Sequence, residues 1–201
     1  MANLDPVVAR CLVEQRIEES RSILEKLVNS CMESTVEVAR LVVRCLGQGG
    51  KVLFCGNGGS SMDAGHLAAE LLGRFYRDRA PLPAMSLADS TAAMTAIAND
   101  YAYAEVFSRQ VLAAGREGDV LVCLTTSGNS ANVVAAIEAA KTVGVHTVAL
   151  TGAKGGKAAL IADHCILVPS SNTPRIQEVC MHLGHTICEL AEMAIFSEPS
   201  R

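Results

Sequence analysis

Hydrophobic positions fall into two regimes along the chain. Over residues 7–46 they recur at helical spacing, as Val8, Cys11 and Leu12, then Ile23, Leu24, Leu27 and Val28, with Glu and Arg between them. A second phase follows, through Met32, Val36, Ala39, Val43 and Leu46, after a break expected at Asn29-Ser30. Gly47-Gln48-Gly49-Gly50 closes the segment, as glycines after a helix should. The pattern predicts a helical hairpin over residues 1–48. Such a hairpin either packs on its own domain or buries a second face in an oligomer.

Beyond the glycines, short apolar runs alternate with helical stretches. Strands are predicted at 51–55, 84–87, 119–125, 146–151 and 164–168. Helices are predicted at about 61–75, 90–98, 102–114, 130–143, 157–161 and 174–196. Strands apolar on both faces, each followed by a helix, predict an α/β fold with a five-stranded parallel sheet flanked by helices. The 201 residues show no internal repeat, low-complexity tract or linker, which fits one domain with the sheet in residues 49–201.

Composition sharpens this picture. Half of the residues are hydrophobic and 19% are charged, which excludes a disordered chain. That apolar content is high for a small monomer and implies apolar surface shared between subunits. Aromatics make up 3%, there is no Trp, and the net charge is −4, so the core is aliphatic and a nucleic-acid partner is not expected. Met1 to Pro6 lacks the regions of a signal peptide, and no apolar stretch reaches membrane-spanning length, so a cytoplasmic location without membrane contact is expected. Eight Cys without a Cys-x-x-Cys pair read as reduced, buried thiols.

Two strands end in loops rich in Gly, Ser and Thr. Ligands of open α/β sheets sit at such strand ends. The first loop is Gly56-Asn57-Gly58-Gly59-Ser60-Ser61, whose N–H groups and following helix favour an anion. The second is Thr125-Thr126-Ser127-Gly128-Asn129-Ser130, with four hydroxyls for phosphate oxygens and Ser130 placed as an N-cap. Neither loop carries the Lys of a nucleotide triphosphate site. Either loop alone also reads as an ordinary βα turn; the two together point to a single phosphate.

The residues carry a resemblance at this point. Cys55-Gly-Asn-Gly-Gly-Ser60, Asp63-Ala-Gly-His66-Leu-Ala-Ala-Glu70-Leu-Leu-Gly-Arg74-Phe75 and Asn99-Asp100-Tyr101 are joined by Thr126-Ser-Gly-Asn-Ser130, Gly155-Gly-Lys157 and Arg175-Ile-Gln177-Glu178-Val179. Over nearly its whole length the chain resembles the SIS (sugar isomerase) family, and within it the phosphoheptose isomerases. The resemblance implies a single SIS domain over 1–201 and conversion of sedoheptulose 7-phosphate to D-glycero-D-manno-heptose 7-phosphate through an enediol. It implies that Asn57, Gly58, Gly59 and Ser60 line the substrate site, that Thr125, Thr126, Ser127 and Ser130 hold the phosphate, and that Asn99 and Asp100 contact the sugar. It further implies one zinc ion per subunit on His66, Glu70, Gln177 and His185, with Glu70 and Gln177 also touching substrate. Glu70 and His185 would be the acid/base pair, and the assembly a homotetramer.

The residue chemistry is consistent with those roles. His66 and Glu70 stand four apart and share a helical face. Gln177 and His185 are eight apart on the last helix, on roughly one side. Ketose–aldose isomerisation needs a base near carbon and an acid near the oxygens, which Glu70 and His185 can supply. Bland readings stand beside these. His66 alone could be a surface residue, Gln177 part of a polar helix start, and His185 packed under the sheet. His182 reads as exposed or interfacial, and His146 and His164 as structural. Cys180 stands where the family commonly has His, and is expected to stay out of any coordination shell. The rival readings are a non-catalytic SIS binding protein similar to the replication-initiator-associating protein, and another sugar-phosphate isomerase. The presence of both Glu70 and His185 favours the enzyme.

Overall fold

A computed structural model describes residues 4–196. The first three residues and those from 197 onward lie outside the described residues, and with them the outer ends of the expected domain and half of the segment read for a signal peptide. Helix α1 (Pro6–Ser30) starts at Asp5, whose carboxylate accepts from Val7 N–H, with Pro6 in the first helical position. Helix α2 (Met32–Gly47) follows after a single residue. The break is at Cys31, slightly past the expected Asn29-Ser30. Cys31 ends one helix by donating its N–H to Leu27 and starts the next by accepting from Thr35 N–H and Thr35 Oγ1.

Five strands follow: β1 (Val52–Gly56), β2 (Ala84–Ser86), β3 (Val120–Thr125), β4 (His146–Gly152) and β5 (His164–Val168). Their order across the sheet is β2-β1-β3-β4-β5, and every pairing is parallel. The three inner strands are buried along nearly their whole length, as runs of Val, Leu, Ala and Cys require. The edges differ from the expectation of full cover: Met85 and Leu167 face outward.

Helices α2, α3 (Gly59–Leu72) and α8 (Thr173–Phe196) cover one face, around Val42, Phe54, Leu67, Val122 and Leu183. Helices α5 (Ser108–Ala114) and α6 (Ala131–Thr142) cover the other, around Leu53, Phe107, Leu121 and Ile137. Helix α4 (Thr91–Asp100) and α7 (Gly156–Ile161) complete that side. The helix expected over 102–114 is a 3-10 turn, Tyr103–Glu105, and then α5, because Val106 and Phe107 between them plunge fully into the core.

Parallel pairing sends the carboxyl ends of all strands to one edge. The opposite edge is closed by Asp119, which accepts from the backbone N–H of Lys51 and Arg116 and pairs with the Lys51 ammonium. Helices α3 and α8 cross closely on the first face. Gly184 makes this possible: a Cβ there would stand 2.6 Å from Leu67 Cδ1. Leu67 is itself buried, so a side chain at 184 forces either the Leu67 side chain or the helices to shift.

Two measurements check this account. Gly184→Ala should destabilise the fold by about 1–3 kcal/mol through overpacking, seen as a lower urea midpoint; an unchanged midpoint would show that Leu67 can yield. The second is acid sensitivity. Burial works to raise the carboxyls of Asp163 and Glu192, yet their hydrogen bonds outweigh it and hold both below the usual carboxylate range. For Asp163 the donors are Thr147 and Lys141; for Glu192 they are the backbone of Phe75, Tyr76 and Arg77 and the Arg79 side chain. The unfolded chain therefore binds protons more readily than the folded one. This stability is present above the unfolded carboxyl values, near pH ~4, and is lost as pH falls through the lower folded values. The urea midpoint should hold from neutral pH to about 5 and drop below about 4, with a weaker drop in Asp163→Asn.

Candidate functional site

The two Gly/Ser/Thr loops leave adjacent strands. Gly56 pairs in register with Leu124, so the loops after β1 and β3 begin side by side. Gly58 turns the first loop with φ +57°, a conformation that costs an L side chain, and α3 begins at Gly59. Ser60 is buried and its N–H donates to Asn57 O. The second loop turns at Gly128, also at positive φ. Thr125 Oγ1 lies 3.5 Å from Ser130 Oγ, and Ser127 Oγ accepts from Asn129 N–H. Ser130 occupies the N-cap position of α6, but its hydroxyl makes no cap hydrogen bond and lies beside Thr125 instead. The N-termini of α3 and α6 thus open at one edge beside several hydroxyls, a setting that favours an anion.

Asn57 joins the two loops. Its Nδ2 donates to Asn132 Oδ1 and its Oδ1 accepts from Asn132 Nδ2, each at 2.8 Å. Tyr103 OH donates to the same Asn57 oxygen at 2.9 Å. Asn132, at the start of α6, is buried. Neither Asn132 nor Tyr103 stands out from sequence pattern; for the first, the only signal is an Asn at the head of the apolar run 133–137.

The second half of the site is carried by α3 and α8. His66 Nε2 lies 2.9 Å from Glu70 Oε1, as their i, i+4 spacing allows. His185 Nε2 lies 3.3 Å from His66 Nε2. One ligand atom from each of the three residues falls within 4.8 Å of the others. Two nitrogens bound at about 2.0–2.1 Å to a tetrahedral ion stand about 3.3–3.4 Å apart. The histidine pair therefore already has the spacing of two zinc ligands, and the donor set of two imidazoles and a carboxylate suits that metal. Phe75 stacks obliquely on His185, with centroids 5.7 Å apart. Gln177, in the first turns of α8, sits against the first loop: a Cβ on Gly59 would stand 2.6 Å from its Nε2.

Other expected positions divide. Asn99 and Asp100 end α4 exposed, with Asn99 Nδ2 donating to Asp100 Oδ1. The hydrogen bond from that region to the first loop comes from Tyr103. His182 is exposed, and His146 and His164 open β4 and β5. Cys180 is buried in the core on α8, its thiol pushed up to about 12, mainly by burial. Asp63 stands one turn before His66, and its buried Oδ2 has no hydrogen-bond partner. Burial raises its carboxyl, with His66 acting in the opposite sense.

The family model described as SIS domain matches residues 16–152. A phosphoheptose isomerase of Rhodospirillum rubrum is 55% identical over 170 residues, spanning 85% of this chain and 90% of that protein. One from Thermodesulfovibrio yellowstonii is 45% identical over 188 residues, 94% of each chain. The solved structure of the phosphoheptose isomerase from Neisseria gonorrhoeae superposes with a TM-score of 0.87 at 43% identity, covering 92% of this chain and 98% of that one. At these identities, over most of both chains, the chain belongs to the SIS domain family and, within it, to the phosphoheptose isomerases.

Proposed function

We propose that the chain interconverts sedoheptulose 7-phosphate and D-glycero-D-manno-heptose 7-phosphate at this site. The observation that carries the reading is the convergence of His66, Glu70 and His185 beside two anion-binding loops. Thr125, Thr126, Ser127 and Ser130 hold the phosphate with their hydroxyls, while Gly58, Gly59 and Ser60 present backbone to the substrate. Asn57 acts mainly by fixing the first loop, since its amide is already bonded to Asn132 and Tyr103. Asn99, Asp100 and Gln177 contact the sugar.

The Glu70 carboxylate removes the proton from C1 of the open-chain ketose as the C2 carbonyl oxygen gains one. The resulting enediol collapses when Glu70 returns its proton to C2 and O1 loses its proton. His185 serves the oxygens, moving a proton between O1 and O2. His66, Glu70, Gln177 and His185 would hold one zinc ion per subunit, which would supply a Lewis acid for the developing oxyanion. A nitrogen that gives its lone pair to an ion cannot hold a proton, so the two roles of His185 Nε2 exclude each other at any instant.

The site is open in the single chain, with the His66 side chain half exposed. Helix α1 leaves Val8, Leu12, Val13, Ile17, Leu24 and Val28 exposed along its length. Both facts support a homotetramer in which the hairpin over 1–48 packs against other copies. The eight free thiols support a reducing, cytoplasmic setting.

Assay of aldose formation from sedoheptulose 7-phosphate tests the reaction. Glu70→Gln and His185→Gln should each lower kcat by about 10²–10⁴ while leaving substrate binding within several-fold. Full activity in Glu70→Gln would remove it as the base, and an inactive wild-type protein would remove the reaction. Light scattering should give a mass near four times that of one chain, and Ile17→Glu should lower it; a monomeric wild type would overturn the assembly.

A further inference from the structure

The connection from α3 to β2, residues 73–83, forms no helix or strand, yet it borders the His/Glu/His group. Its placement depends on one buried ion pair, Arg79 with Glu192, whose side chains are 2% and 3% exposed. The Glu192 carboxylate accepts from the backbone N–H of Phe75, Tyr76 and Arg77 and from Arg79 Nε, all at 2.9–3.0 Å. The Arg79 guanidinium donates onward to the carbonyls of Glu70, Leu71, Gly73 and Ala80. The pair thus spans three parts of the site at once: the last turn of α3 at Glu70, the segment bearing Phe75, and α8 two turns beyond His185.

A buried ion pair is a poor source of stability, because desolvation offsets most of its attraction. Apolar packing would hold a loop against two helices at less cost. What the pair supplies is direction: its bonds run to named backbone atoms of the elements that carry Glu70 and the ring beside His185. Fixing such ligands to within a fraction of an ångström is what tunes metal affinity and rate.

We infer that Arg79 and Glu192 are positioning residues for the catalytic group, acting through the Glu70 carbonyl and the Phe75 ring to set the relation of Glu70 to His185. This rests on the reading that His66, Glu70 and His185 hold the metal and do the proton chemistry. Among the described residues the phosphate loops share no hydrogen bond or ion pair with Arg79 or Glu192, so substrate affinity is spared.

The test compares the zinc-loaded wild type with Arg79→Lys, Glu192→Gln and Phe75→Leu. Chelator competition should show zinc bound about 10–100-fold more weakly in the first two, with kcat reduced over a similar range. KM for sedoheptulose 7-phosphate should stay within threefold, and the visible bands of the cobalt-substituted protein should shift. Phe75→Leu should lower kcat with a smaller change in zinc affinity. Arg79→Lys keeps the charge opposite Glu192, so it decides the matter if Glu192→Gln fails to fold. Zinc affinity, cobalt spectrum and kcat all matching wild type in a cooperatively melting Arg79→Lys protein would overturn the inference. A wild type that binds no zinc but isomerises would instead sink the metal reading on which it rests; equal zinc binding with lost kcat in Arg79→Lys would confine the positioning role to the proton-transfer step.

Discussion

Parallel strand pairing is the constraint on which the rest of this molecule depends. Because β1 and β3 run the same way as neighbours, the loops that follow them must emerge together. Each then opens a helix whose N-terminus points at the same edge. The pairing also buries the inner strands on both faces, which demands helices on each side and a crossing where α3 meets α8.

That crossing brings His66, Glu70 and His185 together. His66 and Glu70 reach the site because α3 starts at the first loop, and their spacing puts them on one face. His185 arrives from a helix that begins more than a hundred residues later and approaches only because Gly184 lets α8 lie against Leu67. The His66/Glu70/His185 cluster is thus a product of close helix packing as much as of the residues it contains. The Arg79–Glu192 pair fastens the same two helices through the connecting segment. Packing brings the helices near, and the ion pair ties them together through the segment between.

Polar groups in the core sort by distance from the site. Asp119, at the amino edge of the sheet, has its carboxylate consumed by Lys51 and Arg116 and closes the fold. Asn57 and Asn132 face each other near the carboxyl edge and tie the two loops, with Tyr103 as a third member. Asp63 keeps a buried oxygen without a partner one turn from His66. An orphaned buried oxygen is costly, and this one borders the histidine pair.

The sequence by itself determined the alternation of strand and helix, the hairpin, and the two glycine loops, because each is a local pattern of apolar spacing and turn chemistry. It also determined that His66 and Glu70 share a face, since helical geometry alone puts residues four apart together. The break at Cys31, the split before α5 and the turn of the Ser130 hydroxyl to Thr125 rather than to a helix cap were decided only by tertiary structure, where buried neighbours outweigh local propensity. The same holds for the meeting of His185 with His66, and for the Arg79–Glu192 pair, whose partners lie 113 residues apart. Sequence spacing says nothing about such pairs; they exist because a parallel sheet stacks α3 and α8 on one face and leaves a buried carboxylate among backbone N–H groups that need an acceptor.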